Sequence, residues 1–204
     1  MELMTKTPIQ STKEAIPNGL SYQEYRLLTE KHAIEGTNTG PEVTESLANY
    51  TQLNHRRMKR LDKTLKLSPE IKESIKNYSG NVTWLVLTES WCGDAAQSMP
   101  VMQKLVELND AIDLKIVLRD ENLELMDQFL YNNGRSIPRL IAFDTVDEKI
   151  LGDWGPRPKE ATKIVEDYKT IHGQLSPELK EDLQVWYNKD KGKNTAQELL
   201  SLLK

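Results

Sequence analysis

Apolar residues fall at helical spacing over the first third of the chain, switch to short unbroken runs in the middle, and return to helical spacing at the end. Period separates the two element types, 3.6 residues for a helix face and two or fewer for a strand. Ser21 and Glu24 have the spacing of a capping box, and Tyr22, Tyr25 and Leu28 share a face behind it. Glycines at 36 and 40 interrupt the pattern, and Pro41 suits the first position of a second helix. Val43, Leu47, Tyr50, Met58, Leu61 and Leu65 carry that helix forward, with Asn54 and Arg57 as polar breaks in its apolar stripe. Ser68-Pro69-Glu70 opens a shorter helix that stops near Gly80.

The rhythm then changes. Residues 82–87 form a run rich in strand formers, and residues 92–109 read as a helix that Pro100 should kink. Residues 113–118 form a second strand, and the length of the connection suits a parallel βαβ unit. A helix is expected over 123–132, stopped by Asn133-Gly134. Pro138 opens a strand over 139–143, where proline is tolerated only at the start, and residues 149–151 return antiparallel to it. A helix follows to about residue 171, with Ala161, Ile164, Val165 and Tyr168 inward. Two more close the chain: one opened by Ser176-Pro177 with Leu179, Leu183 and Trp186, the other with Leu199, Leu200 and Leu203.

Candidate chemistry concentrates at the end of the first strand. The chain's single cysteine, Cys92, stands where that strand feeds a helix. Unpaired N–H groups and the positive end of a helix dipole lower a thiol's pKa there. Trp91-Cys92-Gly93-Asp94-Ala95 resembles the Trp-Cys-Gly-Pro-Cys site of thioredoxins, with Asp94 for the proline and Ala95 for the second cysteine. Pro100 is similar to the proline of that family's active-site helix, and Arg135-Ser136-Ile137-Pro138-Arg139-Leu140 to its cis-proline loop and following strand. Residues 147–152 resemble its last hairpin. The resemblance spans roughly residues 80–172 with the landmarks in order.

It implies an α/β fold: a thioredoxin-like βαβ–ββα core with a central mixed sheet, plus N-terminal and C-terminal helical extensions. The expected divisions are a flexible arm over 1–20, helices over 21–79, the core over 80–172 and C-terminal helices packed on it over 173–204. The last of these is expected to dock loosely behind the charged, glycine-containing stretch 188–194.

The resemblance also implies what the site lacks. With Ala95 in the resolving position, a mixed disulfide cannot be released from within. The family's buried acid aligns with Val86 and its lysine partner with Ile116. Asp94 suits the helix dipole but opposes a neighbouring thiolate. Cys92 is the candidate catalytic residue, and Trp91, Gly93, Ile137, Pro138 and Arg139 are the candidate substrate-binding residues. Arg139 would supply positive charge near the thiol or hold a substrate carboxylate, against the simpler reading of an arginine in solvent or paired with Asp94 or Glu89. His55, Arg56, Arg57, Lys59 and Arg60 form a basic cluster that reads first as a solvated face; the sharper alternative aims Arg57 at the thiol or an anionic ligand, and a carboxylate partner is its rival.

Composition narrows the classes. With 204 residues, 38% hydrophobic and 28% charged, the chain can build one ordinary domain with additions. A net charge of −4 provides no general attraction to nucleic acid or to an anionic membrane. One cysteine excludes an intramolecular disulfide and fits a reducing, cytoplasmic setting. His32, His55 and His172 have no metal spacing, and no stretch has the length of a membrane span. Two functions remain foremost. One is monothiol thiol-disulfide exchange on a protein disulfide, with an external low-molecular-weight thiol as resolving partner and no other cofactor. The other is a redox-inactive module that binds an extended peptide or protein along the Cys92/Pro138 groove. A thiol-dependent transferase is a third, supported by no residue beyond Cys92, Pro138 and Arg139.

Overall fold

The computed structural model describes residues 6–204. Its centre is a four-stranded mixed sheet, β1 (Val82–Thr88), β2 (Ile112–Leu118), β3 (Arg139–Asp144) and β4 (Lys149–Trp154), in the order β2-β1-β3-β4. β1 runs parallel to β2 and antiparallel to β3, and β4 closes the other edge antiparallel. Every residue of β1 is buried, which explains its unbroken apolar run: it lies between two neighbours and is covered on both faces. Val86 pairs with Ile116 across the parallel ladder, and both are fully buried. The two positions at which the family keeps an acid and a lysine are therefore one apolar contact.

Helices cover this sheet. α5 (Gly93–Val106) connects β1 to β2 and α7 (Lys159–His172) follows β4, which completes the βαβ–ββα order. Pro100 sits inside α5, where it contributes no backbone N–H. Before the core come α1 (Pro8–Ala15), α2 (Tyr22–Glu35), α3 (Glu45–Thr64) and α4 (Pro69–Lys76); after it come α8 (Pro177–Asp190) and α9 (Lys193–Ser201). Ser21 and Glu24 cap α2 reciprocally, and Ser68 and Ser176 each accept the N–H three residues on.

Four expectations need correction. The arm assigned to residues 1–20 lies outside the described residues for 1–5, but from Thr7 onward it is structured. Thr7 and Gln10 form a capping box for α1, and Leu20 exchanges two backbone hydrogen bonds with Ile116 at 2.7 and 2.8 Å, covering the free edge of β2. Ala15 is buried in the main core, with Ile16 and Leu20 packed against it, and these contacts together with the edge pairing order a mostly polar segment. Pro41 does not start α3. The Asn38 side chain bonds the Glu42 carbonyl and the Thr44 N–H, folding 38–44 into a loop, and Thr44 caps the helix by accepting from Leu47. The helix over 123–132 shrinks to α6 (Leu123–Met126): the N–H groups of Gln128 and Phe129 bond carbonyls three residues back, and Asn132 and Asn133 then take positive φ in a tight turn closed by Tyr131 and Gly134. The last helix, expected to dock loosely, buries Thr195, Ala196 and Leu199, and joins the main core.

Candidate functional site

The loop between β1 and α5 is held in place from outside the core. Ser90 donates its N–H to the Thr39 hydroxyl at 2.8 Å, its hydroxyl lies 2.8 Å from that of Thr51, and its carbonyl accepts from Asn54 at 3.0 Å. Tyr25 donates to the Glu89 carbonyl at 3.1 Å, and the Trp91 indole donates to the Thr39 carbonyl at 3.2 Å. Asn54, Thr51 and Thr39 are all buried, so the polar break in the α3 stripe is a clamp on the site loop. Buried amide and hydroxyl groups persist only when so bonded. The Glu89 carboxylate is buried as well. It accepts from the Thr39 hydroxyl and from the Asp120 N–H, and burial pushes its pKa above the usual carboxylate range while those bonds pull it back.

Cys92 is the N-cap of α5 and is only 7% exposed. Its sulfur accepts the Ala95 N–H at 3.5 Å and donates its proton to the Ile137 carbonyl at 3.3 Å. The helix start therefore does not produce a thiolate. Burial, and then the Asp94 carboxylate, push the thiol up to about 12, against opposing help from the Ala95 and Asp94 N–H groups and from Arg157. Donation to a carbonyl acts in the same direction, because ionised sulfur would face that oxygen with no proton between them. The Ile137–Pro138 peptide is cis, and both residues are buried beside the sulfur.

Asp94 organises the other side of the site. It accepts from Arg157 at 2.8 Å and from the Tyr187 hydroxyl at 2.9 Å. Burial raises its pKa, while Arg157 and Tyr187 oppose that shift by hydrogen bonding to the ionised form. Gln184 on α8 accepts from Gln97 on α5 at 2.9 Å, and Lys180 donates to Tyr50 of α3 at 3.0 Å. α8 is thus tied to both α5 and α3, and the three helices enclose a cleft of about 670 Å³ over Cys92. Leu47, Leu53, Leu175, Leu179 and Leu183 form much of its wall, with Trp91, Gly93 and Ile137 near the thiol.

Of the expected site residues, Cys92, Trp91, Gly93 and Ile137 meet in this cleft, whereas Pro138, buried next to Ile137 in the chain, does not line it. Arg139 does not. Its buried guanidinium is paired with Asp153 and donates to the Gly155 carbonyl at 2.8 Å, so it neither lends charge to the thiol nor pairs with Asp94 or Glu89. As the first residue of β3 it follows the strand's alternation away from the cleft. The cations lining the cleft are Arg57, with Arg157 and Lys180, which the sequence reading missed. Within the basic cluster, Arg56, Lys59 and Arg60 are exposed as a solvated face would be, whereas Arg57 lines the cleft near Gly93. Among the described residues, no cluster of three or more His, Cys, Asp or Glu is placed to hold a metal, and no helix is long and apolar enough to cross a membrane.

A thioredoxin-type sheet with a Trp-Cys-Gly helix start opposite an Ile-Pro loop defines the class. The thioredoxin family model matches residues 40–169, more than half of the chain, and the protein belongs to that family. No curated protein matches the sequence. Two solved structures share the fold: a protein of unknown function from Pseudomonas aeruginosa, with TM-score 0.65, 17% identity and 94% of this chain covering 95% of that one, and an HIV epitope scaffold, with TM-score 0.64, 16% identity and 94% covering 96%. At such identities the likeness is one of fold.

Two expected results follow from the site. Tyr187→Phe removes a hydroxyl that bonds a carboxylate, and should cost about 1–2 kcal/mol in urea unfolding and loosen α8 enough to speed Cys92 alkylation. Unchanged stability and unchanged thiol protection would mean that α8 does not depend on this anchor. The second concerns alkaline pH. The Cys92 thiol is raised in the folded state, so its contribution is fully present below the unfolded value near 9 and is lost as pH climbs toward about 12. Over that window Cys92→Ser should flatten the fall of stability by one proton, about 1.4 kcal/mol per pH unit. Parallel curves for the two proteins would show an ordinary thiol.

Proposed function

We propose that this protein is a non-catalytic thioredoxin-family module that binds a ligand in the cleft between α3 and α8, with Cys92 as a protonated part of the floor. The observation that carries the reading is the thiol's setting: buried, donating to Ile137, and roofed by α3 and α8. Monothiol exchange needs an exposed, ionisable sulfur and something to resolve the adduct. Neither need is served by a thiol pushed up to about 12 beside Ala95. The cleft's volume falls within the range of small-molecule sites, and its walls are mainly apolar with a few convergent polar groups, which favours a compact organic ligand over an extended peptide strand. The lone unpaired cysteine fits a reducing compartment, and we place the protein in the cytoplasm.

The experiment has two arms. Nile red, a neutral apolar dye, should brighten on wild type and not on Leu53→Arg, which puts a charge into the cleft wall. Incubation with glutathione disulfide at neutral pH should leave the intact mass of the native protein unchanged, while the urea-unfolded chain forms the adduct. Rapid adduct formation on the native protein would restore monothiol exchange, and a dye response that ignores Leu53→Arg would remove the cleft as a binding site.

A further inference from the structure

The cleft's charge is not balanced. Arg57, Arg157 and Lys180 line it with two carboxylates, Asp94 and Glu181. Asp94 is already engaged by Arg157 and Tyr187. Lys180 lies toward the exposed rim, with its ammonium on Tyr50. Arg57 is different. It is partly buried, its one hydrogen bond among the described residues goes to Asn54 Oδ1 at 3.2 Å, and no carboxylate there stands within ion-pair distance of it. Its Nη1 lies 3.6 Å from where a Cβ on Gly93 would stand, so the guanidinium rests against the start of α5 on the floor of the cleft.

A partly desolvated guanidinium with no counterion in contact is costly, and an arriving anion recovers part of that cost. Burial and then the neighbouring Arg60 lower the Arg57 pKa, and the Asp94 carboxylate, itself held by Arg157 and Tyr187, opposes them from beyond ion-pair distance. The rest of the lining is leucine-rich, so the anionic group must be attached to an apolar body. A highly charged polyanion would meet Asp94 and Glu181 as well as the leucines.

Building on the binding reading above, we infer that the cleft takes a monocarboxylate amphiphile, with its carboxylate on Arg57 and its aliphatic body against the leucines of α3 and α8. Arginine suits this role because its planar fork can offer two N–H groups to one carboxylate while stacking on apolar surface. Cys92, protonated, presents a small soft surface beneath the body and takes no part in bond making.

The test compares decanoate with decanol, each below its aggregation concentration, by calorimetry and by displacement of Nile red. In wild type decanoate should bind about tenfold or more tightly than decanol, as a charge-assisted hydrogen bond in a partly desolvated site requires. Arg57→Gln should reduce that ratio to about one while decanol binding is kept, and Arg57→Lys should restore part of it. Circular dichroism of both variants verifies folding. Equal affinity for the two probes in wild type, or a preference that survives Arg57→Gln, overturns the inference but leaves a binding cleft in place. Failure of decanoate, decanol and the dye alike overturns both readings.

Discussion

At pH 7.5 native Cys92 should alkylate about a thousand times more slowly than the same thiol in the unfolded chain. The thiolate is the reacting species, and raising the pKa from about 9 to about 12 cuts its population by about three powers of ten before any steric protection is counted. A family whose reactivity rests on a helix start offers the opposite expectation, so the experiment separates the two cleanly. Here the dipole of α5 and the Ala95 N–H act on a sulfur that is 7% exposed, that donates to Ile137 and that stands beside the Asp94 carboxylate. Desolvation wins because it acts on the whole charge, whereas the dipole supplies partial charges at one end. The measurement is the pH–rate profile with iodoacetamide, with Cys92→Ser as blank. A midpoint below about 8.5 would mean a poised thiolate and would bring back thiol exchange.

Gly155→Ala should unfold the protein or cost it about 3–5 kcal/mol, the upper range for one substitution. Gly155 has φ +118°, a region that L side chains rarely adopt, and a Cβ there would lie 2.1 Å from the Pro138 carbonyl oxygen. That neighbour is backbone, so it cannot rotate aside. The same residue supplies the carbonyl that accepts from Arg139 and leads into Arg157, so displacing it disturbs both the Arg139–Asp153 pair and the Asp94 network. Gly36 is the control. It also has a positive φ, +66°, at the end of α2, but nothing lies within 4 Å of its Cβ position. Gly36→Ala should therefore cost only the conformational penalty of about 1–2 kcal/mol. Comparable losses for the two variants in urea denaturation would show that the close approach at Pro138 is relieved elsewhere.

Much of the core was legible because its signals are local. An apolar run such as 82–87 can be satisfied only inside a sheet, and Ser21 with Glu24, or Ser68 with Pro69, mark helix starts through contacts three residues apart. The order of strand, helix, strand, Ile-Pro and hairpin then left one familiar arrangement. Misreadings occurred where long-range contacts outweighed local pattern. Nothing near Leu20 announces its pairing with Ile116, and a polar leader of that composition is usually loose. The helix expected over 123–132 ends at Met126, where the backbone tightens to bonds three residues back, well before the turn at the two asparagines.

The sequence by itself determined the fold, the place of Cys92 at the start of α5, and the lack of a resolving cysteine and of a buried acid–lysine pair. Those are facts of residue identity and of order along the chain. Tertiary structure decided the state of the thiol and the shape of the site. Arg139 and Arg157 are both arginines beside a proline in the sequence, yet one is bound to Asp153 on the edge strand β4 and the other to Asp94 in the cleft. Arg57 is a single member of a run of bases until α3 is set against α5 and α8. Burial, the distance to a counterion and the direction of a hydrogen bond fix a group's charge, and all three are set by segments far away in the chain.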